Sequence, residues 1–133
     1  MWLLDTHVLD WLMLSPDKLG KRSLKLIDAA LRDDALCVSA VSFWEMAQHV
    51  NRGRMALPVS LEAWRSRVLE LGVREIALNG VMAIRADGLL GEHRDPGDRF
   101  IAATALAAGA TLVTADQTLL AWKSPLKRQN AKE

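Results

Sequence analysis

The chain has 133 residues, of which 50% are hydrophobic and 25% are charged. This length suits one domain with a sizeable core and is too short for two, and the composition is typical of a globular protein rather than a disordered one. Seventeen basic residues nearly balance sixteen acidic residues, so the net charge of +1 neither favours nor excludes a nucleic-acid partner.

Several classes of protein and site are excluded at this level. No apolar run is long enough to cross a bilayer, and the N-terminus lacks the features of a signal peptide, so we expect a cytoplasmic protein with no membrane partner. Cys37 is the only cysteine, and its apolar neighbours predict a small buried hydrophobic residue rather than a disulfide or a metal ligand. No nucleotide-binding glycine loop and no nucleophile elbow is present.

Apolar runs alternate with helical periodicities along the whole chain. The predicted strands are residues 1–4, 35–41, 73–78 and 111–115. The predicted helices are residues 7–14, 22–31, 42–53, 61–72, 79–84, 98–109 and 116–122, with N-caps at Ser42 and Ser60 and a C-cap at Gly72. This alternation predicts an α/β fold with a parallel sheet covered by helices on both faces. We expect a single domain over residues 1–133, in which only the polar, lysine-rich residues 123–133 form a loose end.

Acidic residues follow two of the predicted strands. Asp5 ends the first strand and Asp116 comes directly after the fourth. In an open α/β sheet, ligands bind beyond the carboxyl ends of the strands, so both carboxylates are expected at one rim. Glu45 and Asp98 are predicted near the starts of two helices, at the same edge. The pattern therefore predicts four converging acids.

Each acid also has a purely structural interpretation, as a helix cap or as a charge that complements a helix dipole. Their expected convergence favours a functional site over purely structural roles, because crowded carboxylates repel one another unless they bind protons or a cation. Oxygen ligands without cysteine or a spaced histidine pair suit Mg²⁺ or Mn²⁺. Such an ion makes metal-dependent hydrolysis of a phosphodiester the natural chemistry.

The three histidines offer no better mechanism. His7, His49 and His93 match no metal-binding spacing, and structural roles are favoured for all three. His93 is the most plausible exception, since it lies near Asp95 and Asp98 in the sequence.

Three segments of the chain closely resemble the PIN-domain ribonucleases, specifically the VapC-type toxins of bacterial type II toxin–antitoxin modules. These segments are LLDTHVLDW (residues 3–11), SAVSFWEMA (residues 39–47) and HRDPGDRFIAATALAAGATLVTAD (residues 93–116). The match covers nearly the whole chain in the right order. The resemblance implies a three-layer α/β/α sandwich with a parallel sheet of four to five strands, and an acidic pocket that binds Mg²⁺ or Mn²⁺ and cuts RNA.

Particular residues take roles from this resemblance. It implies that Asp5, Glu45, Asp98 and Asp116 are catalytic, and that Asp5 and Asp98 hold the metal. Asp116 occupies the position that varies most in such families. Asp95 lies three residues before Asp98, so both side chains can reach one pocket from a first helical turn. We expect Asp98 to be the ligand and Asp95 to support it or face the RNA.

The resemblance also implies partners, namely an RNA substrate, a cognate antitoxin that inserts a basic side chain near the acids, and a second copy in a homodimer. Arg52, Arg54 or Arg99 are expected to hold the RNA backbone. Two alternatives stay open. Another metal-dependent phosphodiesterase or phosphatase, including a DNA nuclease, would use the same acids. In a non-catalytic module for binding nucleic acid or protein, the acids would be helix caps and no metal would bind.

Overall fold

The computed structural model of the protein describes residues 1–91 and 95–133. The strands are β1 (Trp2–Leu4), β2 (Leu36–Ser39), β3 (Arg74–Ile76), β4 (Thr111–Thr114) and β5 (Arg128–Asn130). The α-helices are α1 (Thr6–Leu14), α2 (Lys21–Arg32), α3 (Ala40–Asn51), α4 (Leu61–Leu71), α5 (Gly80–Ala86), α6 (Pro96–Ala108) and α7 (Gln117–Ala121), and Pro16–Lys18 form a 3₁₀ turn. Within the described ranges, every helix is too short or too polar to cross a membrane.

The strands form one parallel sheet in the order β3-β2-β1-β4-β5. The predicted parallel sheet of four to five strands is therefore confirmed, with five. The chain moves outward from the central β1 to β3, then crosses back to build β4 and β5 on the other side. The winding direction thus reverses between β1 and β4, and a crevice opens beyond the carboxyl ends of strands at such a point.

Successive residues of each strand point to opposite faces of the sheet. Leu4, Val38 and Val113 belong to one buried cluster, which packs under residues of α1, α2 and α4. Leu3 and Leu112 belong to a second cluster, which packs against α6 and α7. Two helical layers therefore enclose the sheet, which confirms the expected α/β/α sandwich. The free thiol of Cys37 is buried in the second cluster, as predicted.

The starts and ends of the helices depend on a few polar or flexible residues. Ser60 caps α4 and Gly72 ends that helix at φ +109°, both as predicted. The predicted cap at Ser42 is wrong, because α3 begins earlier, where the Ser39 side chain accepts a hydrogen bond from the first turn. The apolar residues that follow Ser39 gave no sign of this break. Glu45 consequently lies in the second turn of α3 rather than the first.

The loose end expected for residues 123–133 is wrong, because Arg128–Asn130 form β5 and pair with β4. Ala131 is fully buried, and its carbonyl accepts a hydrogen bond of 2.9 Å from the Gly20 backbone N–H. Backbone hydrogen bonds to β4 hold this strand at the sheet edge, and such bonds do not require apolar side chains. Polar residues can therefore form a strand there without an apolar signal in the sequence.

We predict that Gly20→Ala destabilises the fold. A Cβ at Gly20 would lie 2.2 Å from the backbone carbonyl carbon of Glu133, so the C-terminal segment would have to move. Overpacking of this kind costs about 1–3 kcal/mol. Gly88→Ala is the matched control, because its Cβ would meet no heavy atom within 4 Å. Thermal unfolding followed by circular dichroism measures both variants, and equal melting temperatures would contradict the packing described for the C-terminal segment.

Candidate functional site

Three carboxylates converge beside the start of α6. Oxygen atoms of Glu45, Asp95 and Asp98 all lie within 4.8 Å of one another. Asp95 is the N-cap of α6 and Asp98 lies in its first turn, where it is only 7% exposed. A Cβ at Gly97 would lie 2.7 Å from both Cδ and Oε2 of Glu45. Glycine at this position therefore allows the first turn of α6 to contact the carboxylate of α3.

Asp5 lies at the carboxyl end of β1 and is 2% exposed. Its Oδ1 accepts a hydrogen bond of 2.8 Å from the Thr6 backbone N–H, so it caps α1. Its Oδ2 accepts a hydrogen bond of 2.7 Å from Oγ1 of Thr114, the last residue of β4. Asp5 is therefore a helix cap, one of the two roles that the sequence left open, and its second oxygen is held across the crevice between β1 and β4.

Thr6 connects Asp5 to the three converging acids. Its Oγ1 donates a hydrogen bond of 2.7 Å to Glu45 Oε1 and lies 2.9 Å from Ser42 Oγ. A hydroxyl has one proton, so when Thr6 donates to the carboxylate it accepts from Ser42. The residue after Asp5 therefore fixes the position of Glu45.

The Glu45 carboxyl has an unusual affinity for its proton. Burial raises its pKa to about 7, the hydrogen bond from Thr6 opposes this shift, and the charges of Asp5, Asp95 and Asp98 raise the pKa further. In residues 1–91 and 95–133, no basic side chain forms an ion pair with Glu45. A proton or an added cation is therefore needed to make this cluster of acids favourable.

His7 is a neighbour of the site that the sequence analysis favoured only for a structural role. Its Nε2 accepts a hydrogen bond of 3.0 Å from the Ala115 backbone N–H. The neutral ring consequently carries its proton on Nδ1, which lies 3.7 Å from Asp5 Oδ2. Its position two residues after Asp5, at the start of α1, was the available signal. His93, the exception considered from sequence, lies outside the described residues.

Asp116 has a different environment from the other predicted acids. Its Oδ1 accepts hydrogen bonds of 2.8 and 3.2 Å from the backbone N–H groups of Thr118 and Leu119, so it caps α7. Its own backbone N–H donates to Thr114 Oγ1 at 3.0 Å. Asp116 is therefore linked to Asp5 through Thr114, and its carboxylate is not in the group formed by Glu45, Asp95 and Asp98.

The donor set suits a hard divalent cation. All the converging ligand atoms are carboxylate oxygens, which Mg²⁺ and Mn²⁺ prefer. Oxygens on opposite sides of one Mg²⁺ lie about 4.2 Å apart, because each Mg–O distance is about 2.1 Å. Oxygens at adjacent positions of the same ion lie about 3.0 Å apart. The Glu45, Asp95 and Asp98 oxygens lie within 4.8 Å of one another, so they must move closer together for all three to contact one ion.

A cavity of about 360 Å³, here called the acidic groove, adjoins these carboxylates. It is lined by Glu45 and Asp95 on one side and by His49, Arg52 and Arg54 on another. Two of the arginines expected to hold an RNA backbone therefore lie at this groove. The third, Arg99, lies on α6, and its guanidinium donates a hydrogen bond of 3.5 Å to the Gly91 carbonyl.

Comparison with known sequences identifies the family. The PIN domain profile matches residues 2–121. The chain belongs to the PIN-domain family. Ribonuclease VapC22 from Mycobacterium tuberculosis is 33% identical over 124 residues, which are 92% of this chain and 92% of that protein. The resemblance stated from the sequence is confirmed, and this PIN-domain protein is a homologue of VapC ribonucleases.

Solved structures share the PIN-domain architecture described above. VapBC2 from Rickettsia felis, solved with a DNA fragment from its promoter, matches with a TM-score of 0.72 at 15% identity, over 97% of both chains. FitAcB from Neisseria gonorrhoeae matches with a TM-score of 0.66 at 21% identity, over 98% of both chains. At these identities the similarity establishes the fold alone.

We predict that Glu45→Gln stabilises the metal-free protein at alkaline pH and not at acidic pH. The folded-state pKa of Glu45 is about 7, against 4.5 ordinarily, so the wild type loses stability as the pH rises between these values. The full shift would correspond to roughly 3 kcal/mol, and partial exposure reduces the expected gain to about 1–2 kcal/mol near pH 8. Urea unfolding in EDTA, near pH 5 and near pH 8, measures the difference in the free energy of unfolding between Glu45→Gln and the wild type.

The Glu62→Gln variant serves as the control for this pH experiment, since Glu62 is exposed and lies in the first turn of another helix, α4. A Glu45→Gln variant whose stability follows the wild type at both pH values would contradict the crowded, buried environment described for Glu45.

Proposed function

We propose that this PIN-domain protein is a metal-dependent endoribonuclease that acts as the toxin of a type II toxin–antitoxin module. The observation that carries the proposal is the convergence of Glu45 from α3 with Asp95 and Asp98 from α6. Asp5, at the end of β1, is near enough for its charge to raise the pKa of Glu45, and the strand order reverses at this point. The 33% identity to a ribonuclease VapC supports RNA as the substrate.

We assign Mg²⁺ as the cofactor, with Mn²⁺ as a functional substitute. Asp5 and Asp98 are proposed as metal ligands, as expected from the sequence, and Glu45 and Asp95 lie close enough to complete the oxygen set. A bound divalent cation would polarise the phosphodiester and lower the pKa of a water molecule. The absence of a described ion pair for Glu45 supports a cation there.

The protein's own groups keep this site in a defined geometry. Thr114 and Thr6 direct one oxygen of Asp5 and one of Glu45, so neither carboxylate is free to turn away. In this proposal Asp116 acts on the site indirectly, because its backbone N–H orients the Thr114 hydroxyl that holds Asp5. Arg52 and Arg54 supply positive charge beside the acids, where it can hold a phosphate backbone that the carboxylates alone would repel.

We propose that an antitoxin is the protein partner and that the protein without its antitoxin is a homodimer. We also propose that it acts in the cytoplasm, where RNA is made. Solved structures of similar fold include a toxin–antitoxin complex from Klebsiella pneumoniae. Large apolar side chains near the acidic groove and on α5 support a protein partner, since Trp44 is 46%, Val81 is 56% and Ile84 is 78% exposed.

We predict that the purified protein cuts RNA with Mg²⁺ or Mn²⁺ and stops when EDTA is added. Asp5→Asn and Asp98→Asn should each lower the cleavage rate at least about 100-fold, because each removes charge that holds the cation. Cleavage of a mixed RNA pool, with a single-stranded DNA of similar sequence beside it, measures both the activity and the substrate class.

Asp28→Asn is the matched control for the cleavage experiment, since Asp28 is an exposed acid on α2. Circular dichroism establishes that each variant folds. Cleavage by folded Asp98→Asn at the wild-type rate would overturn the assignment of the site. Cutting of the DNA alone would overturn the assignment of RNA, and metal-independent RNA binding without cleavage would favour an interaction module.

We predict that Gly97→Ala weakens divalent-metal binding about tenfold or more, because the added methyl would occupy the space beside the Glu45 carboxylate. Titration calorimetry with Mn²⁺ measures this without any need for activity. Gly88→Ala, which adds a methyl to open space, should bind Mn²⁺ like the wild type. Equal affinities for all three proteins would place the metal away from Glu45.

A further inference from the structure

A second cavity of about 360 Å³ lies between α1, the 3₁₀ turn that follows it and the end of α3. We call it the side cavity, and the lining residues used below are His7, Asp10, Trp11, Lys18, His49 and Arg54. His49 and Arg54 also line the acidic groove. The two cavities are therefore neighbours, and an extended ligand that crosses the carboxylates can enter the side cavity.

The charge of the side cavity suits an anion that arrives from the acidic groove. Lys18 and Arg54 are exposed cations on its lining, and among the described residues that line it Asp10 is the only acid. A polyanion held near repelling carboxylates needs positive groups beyond them. Lys18 and Arg54 provide such groups in a second cavity, in addition to Arg52 in the groove itself.

Trp11 gives the side cavity an aromatic surface. The Lys18 Nζ lies 6.0 Å from the centroid of the Trp11 ring, and the His7 ring meets Trp11 edge to face at 5.2 Å between centroids. Single-stranded RNA is commonly bound by stacking an unpaired base on an aromatic side chain beside a cation that contacts the phosphate. Trp11 and Lys18 lie close enough together to make these two contacts with one nucleotide.

Asp10 supplies a hydrogen-bond acceptor that the protein itself does not use. Its Oδ1 is buried and accepts no hydrogen bond from residues 1–91 or 95–133. Leaving a buried polar atom without a hydrogen-bond partner is unfavourable. Burial also raises the pKa of Asp10 to about 7. Asp10 lines the side cavity, and its second oxygen, Oδ2, is not among the buried unpaired atoms, so this oxygen can accept a hydrogen bond from a ligand in the cavity.

We propose that the side cavity binds the RNA nucleotide next to the cleaved bond, with Lys18 and Arg54 on its phosphate and Asp10 on an amino or imino group of its base. This inference rests on the proposed ribonuclease function and deepens it, because it names the surface that selects a base. Asp10 is then a specificity-determining residue, and the volume of the cavity lies in the range of roughly 300–1,000 Å³ that is usual for small-ligand sites.

The test measures RNA binding directly, in EDTA, so that it does not depend on cleavage. End-labelled single-stranded oligonucleotides of adenosine, of cytidine, of uridine and of alternating guanosine and uridine are titrated with protein, and fluorescence anisotropy gives the dissociation constants. Lys18→Ala and Arg54→Ala should each weaken binding of all four oligonucleotides about three- to tenfold, and each should lower the salt dependence by about one phosphate contact.

Asp10→Asn should act differently, because it converts an acceptor into a group that also donates. We expect it to change the ratios of the four affinities by about fivefold or more while leaving their salt dependence unchanged. Lys25→Ala and Asp28→Asn, at exposed positions on α2, are the matched controls and should bind like the wild type. Lys18 and Arg54 are exposed, so their variants test the cavity even where Asp10→Asn does not fold.

Equal binding by wild type, Lys18→Ala and Arg54→Ala would overturn the inference and leave the cavity to a protein partner. Unchanged affinity ratios for folded Asp10→Asn would overturn the contact to the base. If the wild type cuts RNA and Asp98→Asn does not, these two failures leave the proposed function intact. If the wild type binds but never cuts, weaker binding by the Lys18 and Arg54 variants still supports the cavity as an RNA site, while the ribonuclease function fails.

Discussion

Repulsion among carboxylates that are forced together at the carboxyl ends of β1 and β4 is the constraint on which the rest of the site depends. The fold brings them there because the strand order reverses at this point, and burial then prevents water from screening them. Two threonine hydroxyls, from Thr6 and Thr114, each hold one acid by a short hydrogen bond. The absence of a side chain at Gly97 lets α6 approach Glu45. The crowding of these carboxylates therefore originates in the backbone topology, and a few small side chains tune it.

Two carboxylates of the proposed metal site, Asp5 and Asp95, are also helix caps. Asp5, Asp95 and Asp116 each accept hydrogen bonds from the first turn of a helix. Such a bond stabilises the helix and also fixes the direction of the side chain. For Asp5, the second oxygen is fixed as well, by Thr114. Stability and site geometry are thus coupled in the same atoms, which limits how far either can be changed alone.

The sequence was most informative where side-chain patterns determine structure. Alternating apolar runs predicted the parallel sheet, and Asp5, Glu45 and Asp98 were proposed as site residues because acids follow predicted strands or lie near the starts of predicted helices. Contacts set by the backbone were not predictable in this way. The edge strand of Arg128–Asn130 has no apolar pattern, since it pairs through peptide groups. The grouping of Asp95 with Asp98 depends on how the first turn of α6 meets α3, which spacing alone left ambiguous.

The hydrogen bond between Thr114 and Asp5 joins residues that are 109 positions apart. Of the five described strands, the central strand β1 is synthesised before the others, and it cannot pair on its second side until β4 is available. Contacts of such long sequence separation form late, because the loop must close before they stabilise anything. A ribosome that releases the chain before Thr114 therefore yields a fragment in which the acids are not assembled. For the ribonuclease function proposed above, the order of synthesis keeps the site unassembled until β4 has been made.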